Sequence, residues 1–405
     1  MSEPVPRPRP WLRRMSGRDP DEEGRASTPL ELLFDLTFVV AVAQAATQLQ
    51  HMLARGQVGH ALAGYATAFF GLWWAWVNFT WFASAYDTDD VPYRLLTMLQ
   101  MAGVLVFAAG IPAAFQHFDF VTVVVGYVIM RLAMVAQWLR AAHGHPEGRV
   151  STLRYAAGVT VVELGWVGRL FLPGLPGWIG FAVLIAAELL VPAWAEFTGR
   201  RTPWNADHIA ERYGEFTIIV LGEVIAVIGA AIGTALGHGP ASPNLLTAAA
   251  AGLLLVFVLW WSYFKHPAAE SIRQSLPWTF VWAFGHYLIF AAVAAFGAGL
   301  QVVVGTIAHS TGVSPSFAAF TIAIPAATYI VVLNLLNTRV TGQPVIFGLA
   351  LLTAALVLAT AAVTPVLTLP LGTVVMMVLV VLLLAYHLTA THQVTRPTEP
   401  SGFSG

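Results

Sequence analysis

Thr28–Val40 reads TPLELLFDLTFVV and continues through AVAQAATQL to Leu49. The run is apolar over a length that carries a helix into a bilayer. It holds two charges, Glu31 and Asp35, four residues apart and both near its start. The rest of the chain is built in the same way. Of 405 residues, 57% are hydrophobic and 10% charged, whereas a soluble globular chain carries about 25% charged residues. Apolar runs of about 18 to 25 residues, the length of a hydrocarbon core, recur over roughly 30–50, 60–82, 93–115, 118–141, 152–171, 177–197, 206–235, 244–264, 277–304, 317–338, 344–363 and 367–388. The expected fold is an all-α polytopic membrane protein of about twelve transmembrane helices.

Composition removes several function classes. A net charge of −1 offers nothing to a nucleic acid. The absence of cysteine excludes disulfides, thiolate metal sites and thiol catalysis. No P-loop and no GxGxxG occurs, so no nucleotide or other cofactor is expected. The partners that remain are the lipid bilayer, a small ion or solute, and a second copy in a homodimer.

Residues 1–29 are rich in arginine and proline and lack the apolar core and cleavage site of a signal peptide. They are expected to form a disordered basic tail, and residues 391–405 a second one. With the N-terminus in the cytoplasm, the inner connections hold Arg94, Arg140, Arg149, Arg154, Arg200, Arg201, Arg212, Lys265, Arg273, Arg339 and Arg396, the outer ones only Arg55 and Arg169. This positive-inside bias places both termini in the cytoplasm of a bacterial plasma-membrane protein. Trp81, Trp138, Trp194, Trp204, Trp260 and Trp261 fall near the inner ends of their spans, as an interfacial belt would. Asp87, Asp89 and Asp90 are expected in a solvated loop.

The chain also echoes itself. ELLFDLTFVVAV (Glu31–Val42) aligns with ERYGEFTIIVLG (Glu211–Gly222), setting Glu31 over Glu211, Asp35 over Glu215 and Thr37 over Thr217. WWAW (Trp73–Trp76) resembles WWSY (Trp260–Tyr263) at nearly the same offset. An offset of six spans predicts two pseudo-symmetric parallel six-helix repeats, 30–200 and 201–390.

The intramembrane acids are the candidate site, since such residues usually face a bundle interior or wet cavity. Thr28, Pro29 and Glu31 fit N-cap, N1 and N3 of a capping box, so Glu31 has a structural reading as well. Asp35 lies a turn deeper with no capping role. In span 7, His208, Glu211 and Glu215 are spaced i, i+3, i+7 on one face, and Glu223 lies two turns deeper than Glu215. Gly229, Gly233 and Gly237 recur at the spacing that lets membrane helices approach closely. Glu31, Asp35, Glu211, Glu215 and Glu223 are the expected ion- or proton-binding residues, with Arg131, Glu163, Glu188, His208 and His286 as possible partners. A buried Arg131 would most simply pair with a carboxylate.

TPLELLFDLTFVVAVAQ, ERYGEFTIIVLGE and the WW element of span 8 together resemble the bacterial low-temperature-requirement A family. The first motif matches at Glu31, Phe34, Asp35, Phe38 and Gln44, the second at Glu211, Arg212, Tyr213, Gly222 and Glu223. The resemblance implies a role in growth in the cold and supplies no substrate. The F-D element opening the first helix also looks like the two-repeat lysosomal potassium channel family, an analogy of fold alone. The reading that follows is a transporter or channel-like protein for protons, monovalent cations or a small solute, preferred over an enzyme. Two alternatives stand beside it. One is a membrane-embedded metal-dependent enzyme, with His208, Glu211, Glu215, Glu31 and Asp35 converging on iron, manganese or zinc. The other is a non-catalytic lipid-adaptation or stress protein whose acids are structural.

Overall fold

The computed structural model describes residues 11–197, 200–237, 242–266, 268–342 and 344–394. Every regular element among them is helical. The helices are α1 (Pro29–Ala54), α2 (Val58–Tyr86), α3 (Val91–His117), α4 (Val121–Gly144), α5 (Arg149–Arg169), α6 (Gly174–Phe197), α7 (Ala206–Gly237), α8 (Pro243–Phe264), the short α9 (Ala268–Arg273), α10 (Leu276–Ile307), α11 (Pro315–Thr341), α12 (Pro344–Leu367) and α13 (Leu369–Val394). Apart from α9, each overlaps one of the expected spans. Ten are long and apolar enough to cross a membrane. The other two, α2 and α5, are long enough, but tryptophan, tyrosine and arginine dilute their hydropathy.

The helix starts follow from local chemistry. Asp90, Ser242, Ser275 and Ser314 cap α3, α8, α10 and α11, each side chain accepting the amide three residues on, with proline in the first turn. On α1 the capping box forms as expected. The Thr28 amide donates to Glu31 Oε2 at 2.8 Å and the Glu31 amide to Thr28 Oγ1 at 3.3 Å. The same helix shows two faces. Glu31, Phe34, Asp35, Phe38 and Ala41 are fully buried, while Leu33, Leu36 and Val40 are about half exposed. An apolar face of that kind is suited to lipid rather than water.

The chain divides into two compact units. The first takes the residues up to Met52 and Gln57–Val220, the second Leu53–Gly56 and Leu221 onward. The boundary thus falls inside α7, later than the residue 200 to which the internal echo points. In the first unit α2 packs on α3 and α4, α3 on α4, α4 on α5, and α5 on α6. In the second, α10 packs on α11, α11 on α12, α12 on α13, and α13 returns to α8. The α3–α4 crossing depends on glycine. A Cβ on Gly126 would stand 2.3 Å from the Phe107 amide nitrogen, and one on Gly103 2.8 Å from the Gly126 carbonyl. At Gly229 and Gly233 a Cβ would meet nothing within 4 Å. The small-residue repeat of α7 therefore does not mark a tight helix contact there.

The stretch 11–28, expected within a free tail, lies along helix ends of the first unit. The Arg25 guanidinium donates to the Ser84 carbonyl and, at 2.9 Å, to the Ala83 carbonyl, closing the last turn of α2. Arg14 Nε donates to the Gly144 carbonyl of α4 at 2.7 Å, and the Arg13 amide to Asp90 at 2.9 Å. Asn205 Nδ2 reaches the carbonyls of Pro20 and Glu22, while its Oδ1 accepts the His208 amide and starts α7. Residues 1–10 and 395–405 lie outside the described residues. Asp87 and Asp90, expected in solvent, are 8% and 2% exposed. Arg140 pairs with Asp90 at 2.7 Å, and the Arg13 and Tyr93 amides bind it too. This segment covers what would otherwise be a wet loop.

Candidate functional site

Arg212, on the first turns of α7, sits among three carboxylates. Its Nη2 donates to Asp35 Oδ1 at 2.5 Å and its Nε to Asp35 Oδ2 at 3.2 Å, a two-pronged pair that suits a planar guanidinium. Its Nη1 lies 3.0 Å from Glu31 Oε1, and its Nε 3.7 Å from Glu215 Oε2. His208, one turn earlier, places Nε2 3.3 Å from Glu31 Oε1. Trp76 of α2 completes the shell, its indole N–H donating to Asp35 Oδ1 at 2.7 Å. The Trp76 ring packs on Tyr213 and Phe216 of α7. Glu31, Asp35, His208 and Arg212 are each 0% exposed, whereas the Glu215 side chain retains 20%.

The face that builds this site is His208, Arg212, Glu215, spaced i, i+4, i+7. Glu211, assigned to it by the sequence echo, is exposed. One residue is 100° of helix, so Glu211 points 60° to one side of His208 and out of the cluster. Glu223 is partly exposed and belongs to the second unit. Among the described residues no three His, Asp or Glu side chains stand together to hold an ion. Arg212 occupies the space between the acids that the metal-enzyme reading would have converge on an ion.

Just outside α2, Asp87 lies at the edge of the same charge set, 4.0 Å from the Arg18 guanidinium. Burial, and then the charge of Glu31, push its carboxyl up to about 6, against the pull of Arg18, Arg25 and Arg212.

A second polar cluster lies on the other side of α2. Glu188 of α6 accepts from the Trp74 indole at 2.7 Å, the Tyr127 hydroxyl at 2.8 Å and the Trp166 indole at 3.2 Å, and it pairs with Arg131. One carboxylate thereby ties α2, α4, α5 and α6 together. WWAW thus serves two sites, Trp74 facing Glu188 and Trp76 facing Asp35. Its sequence counterpart in α8 does otherwise, since Trp260 and Trp261 are 46% and 50% exposed. Trp138, expected in an interfacial belt, is 3% exposed and stacked on Tyr155 at 4.2 Å. Glu163 of α5 is 6% exposed, and neither of its oxygens has a hydrogen-bond partner. In the second unit, His286 presents Nδ1 to the Trp282 carbonyl at 2.7 Å and Nε2 to the Tyr263 hydroxyl at 3.0 Å. A carbonyl only accepts, so Nδ1 carries the hydrogen and Nε2 accepts from Tyr263.

Arg212 is the residue that sequence reasoning passed over as a site. It was legible as an arginine one turn beyond His208 and one before Glu215 on the same helical face. In the sequence it stands as a topology marker and a motif match, with nothing local to tie it to acids 177 and 181 positions earlier.

A sequence model of the family described as bacterial low temperature requirement A protein matches residues 26–385. The chain is 31% identical over 304 residues to RA0937 of Rhizobium meliloti (strain 1021), a protein described as uncharacterised, the match covering 70% of this chain and 71% of that one.

Proposed function

The chain belongs to the bacterial low temperature requirement A family and is an integral membrane protein, and on that basis we propose that it moves protons or monovalent cations across the bacterial plasma membrane. The observation that carries the reading is the charge count at Arg212. Glu31, Asp35 and Glu215 supply three carboxylates to one guanidinium, with the His208 imidazole set against Glu31 and its Nδ1 unpartnered. A buried surplus of negative charge costs several kcal/mol, on the order of 3–5 when a partner is lost. A proton or a monovalent cation offsets it. Glu215, the one member with residual exposure, is the point of entry. Asp35 and Glu31 are reached once Arg212 turns from them. The cluster is closed as it stands, so conduction through it requires that turn.

Two further features support the arrangement. In both halves the third and fourth long helices pack on each other. Gly103 and Gly126 mediate the crossing of α3 and α4, and a Cβ on Gly299 of α10 would stand 2.2 Å from the Thr321 carbonyl of α11. That likeness favours an internal repeat, as membrane transporters often have. The arginine distribution favours cytoplasmic termini.

Purified protein in liposomes is expected to dissipate an imposed proton or potassium gradient, read with a pH-sensitive dye. Glu215→Gln, which removes a charge at an accessible edge, is expected to slow the flux at least tenfold. Silent liposomes across a panel of monovalent cations and small solutes would refute transport, and wild-type flux in Glu215→Gln would refute the role of the cluster. The full burial of Glu31, Asp35 and Arg212 favours one competing reading, that the cluster only fastens α1 to α7 in a protein that adapts the membrane to cold. That reading predicts silent liposomes together with lost cold growth in Arg212→Ala.

A further inference from the structure

We propose that Glu163 is a second proton-binding site of the first unit, separate from the Arg212 cluster, and that Arg131 is a guanidinium shared between Glu163 and Glu188. The argument begins with the accounting of partners. Glu188 is saturated by four donors. Arg131 is 2% exposed and uses only Nη2 on Glu188, its Nε and Nη1 having no hydrogen-bond partner. Glu163 is 6% exposed with both oxygens unpartnered, and no ion pair within 4.0 Å joins it to Arg131. Two donors and two acceptors, all buried, are therefore left open in one cluster. Native interiors leave few such groups, and each calls for an explanation.

Charge supplies the explanation. Arg131 neutralises Glu188, which leaves Glu163 as the surplus acid. An isolated ionised carboxylate in an apolar interior is too costly to persist, and the group takes up a proton instead. The charged or titratable groups around it are Arg131 and Tyr127 on α4 and Glu188 on α6, while α2 contributes the neutral Trp74 and α5 the neutral Trp166. Tyr127 and Trp166 donate to Glu188, so neither is available to Glu163. Glu163 precedes Arg169, the end of α5, by six residues, about 9 Å at the helical rise. A cavity of about 40 Å³ bounded by Tyr127, Trp166 and Arg169 lies in the same region. A space of that size admits water, which needs about 10–15 Å³ on this measure, although Glu163 does not itself line it. When the O–H bond of the Glu163 carboxyl breaks, the proton passes to water from that end of the helix. The carboxylate left behind draws Nε and Nη1 of Arg131, loosening the Glu188 pair. Protonation of one acid thereby sets which carboxylate the arginine holds.

Infrared spectroscopy of purified protein tests this without any transport assay, so the result stands apart from the reading given to the Arg212 cluster. The difference between wild type and Glu163→Gln at neutral pH is expected to contain a carboxylic C=O band that shifts in heavy water and fades as pH rises. Glutamine has the shape and neutrality of the protonated acid, so Glu163→Gln is expected to fold. In Glu188→Gln the band is expected to be lost at neutral pH, because the freed Arg131 holds Glu163 ionised. No band difference between wild type and Glu163→Gln at any pH would overturn the proposal, as would failure of Glu163→Gln to fold. A band that persists in Glu188→Gln, or a Glu188→Gln protein that does not fold, would overturn the sharing of Arg131.

Discussion

Removing Arg212 leaves Asp35 without a counter-charge and Glu31 with only the His208 imidazole, both acids being 0% exposed. Breaking a buried pair in this way costs about 3–5 kcal/mol, so Arg212→Ala is expected to lower thermal stability in detergent by that order. The double variant Arg212→Gln, Asp35→Asn is expected to recover part of the loss, since it removes one of the stranded charges as well. A double variant as unstable as Arg212→Ala would show that the pair is not what the arginine holds. Asp87 gives a pH signature. Its folded carboxyl titrates near about 6, while an unfolded aspartate titrates near about 4. The folded state holds the proton more tightly. Its contribution to stability is full below about pH 4 and is lost as pH rises through about 6. Between about pH 5 and 7 the wild type is expected to lose about 1 kcal/mol relative to Asp87→Asn. Equal pH dependence in the two proteins would exclude Asp87 as the source. These residues also show what sequence could reveal. Thr28-Pro29-Leu30-Glu31 spells its capping box through fixed spacing along one turn. The ion pairs of Glu31 and Asp35 join residues 177 or more positions apart, and local periodicity carries no information about such a partner.

Helix existence was legible because the length of an apolar run is set by bilayer thickness, and the expected spans overlap the long helices. Helix contacts were less so. The glycines of α7 are spaced like a packing motif yet face open space at Gly229 and Gly233, whereas Gly126, unremarked in the sequence, sits against the Phe107 backbone. Spacing says which residues share a face, but not whether a neighbour covers it. Gly126→Ala is therefore expected to destabilise by about 2 kcal/mol, in the range for overpacking, because the obstructing atoms are backbone. Gly229→Ala and Gly233→Ala are expected to be neutral or slightly stabilising by the helix propensity of alanine. Parallel melts of the three proteins decide the matter, and equal stability would remove the α3–α4 crossing as a constraint. The segment at 11–28 belongs to this scale as well. Its composition is that of a tail, but Arg25 and Asn205 give it fixed attachments to α2 and α7.

For the whole chain, the absence of cysteine makes orientation measurable with single introduced thiols. With the proposed cytoplasmic termini, Gln57 is expected outside and Glu147 inside. Gln57→Cys is expected to react with a membrane-impermeant maleimide on intact cells, and Glu147→Cys only after lysis. The reverse pattern would invert the topology. The bridge from Asp35 to Arg212 has a further consequence for synthesis. A chain grows from its N-terminus at about 5–20 residues per second, so the 177 residues between these partners take roughly 10–35 seconds to emerge. Throughout that interval α1 must reside in the membrane carrying two acids whose counter-ion has not yet been translated. The inserted nascent helix has to wait with those side chains protonated or sheltered by the insertion machinery, and final docking of α1 is deferred until the ribosome has passed the midpoint of the message.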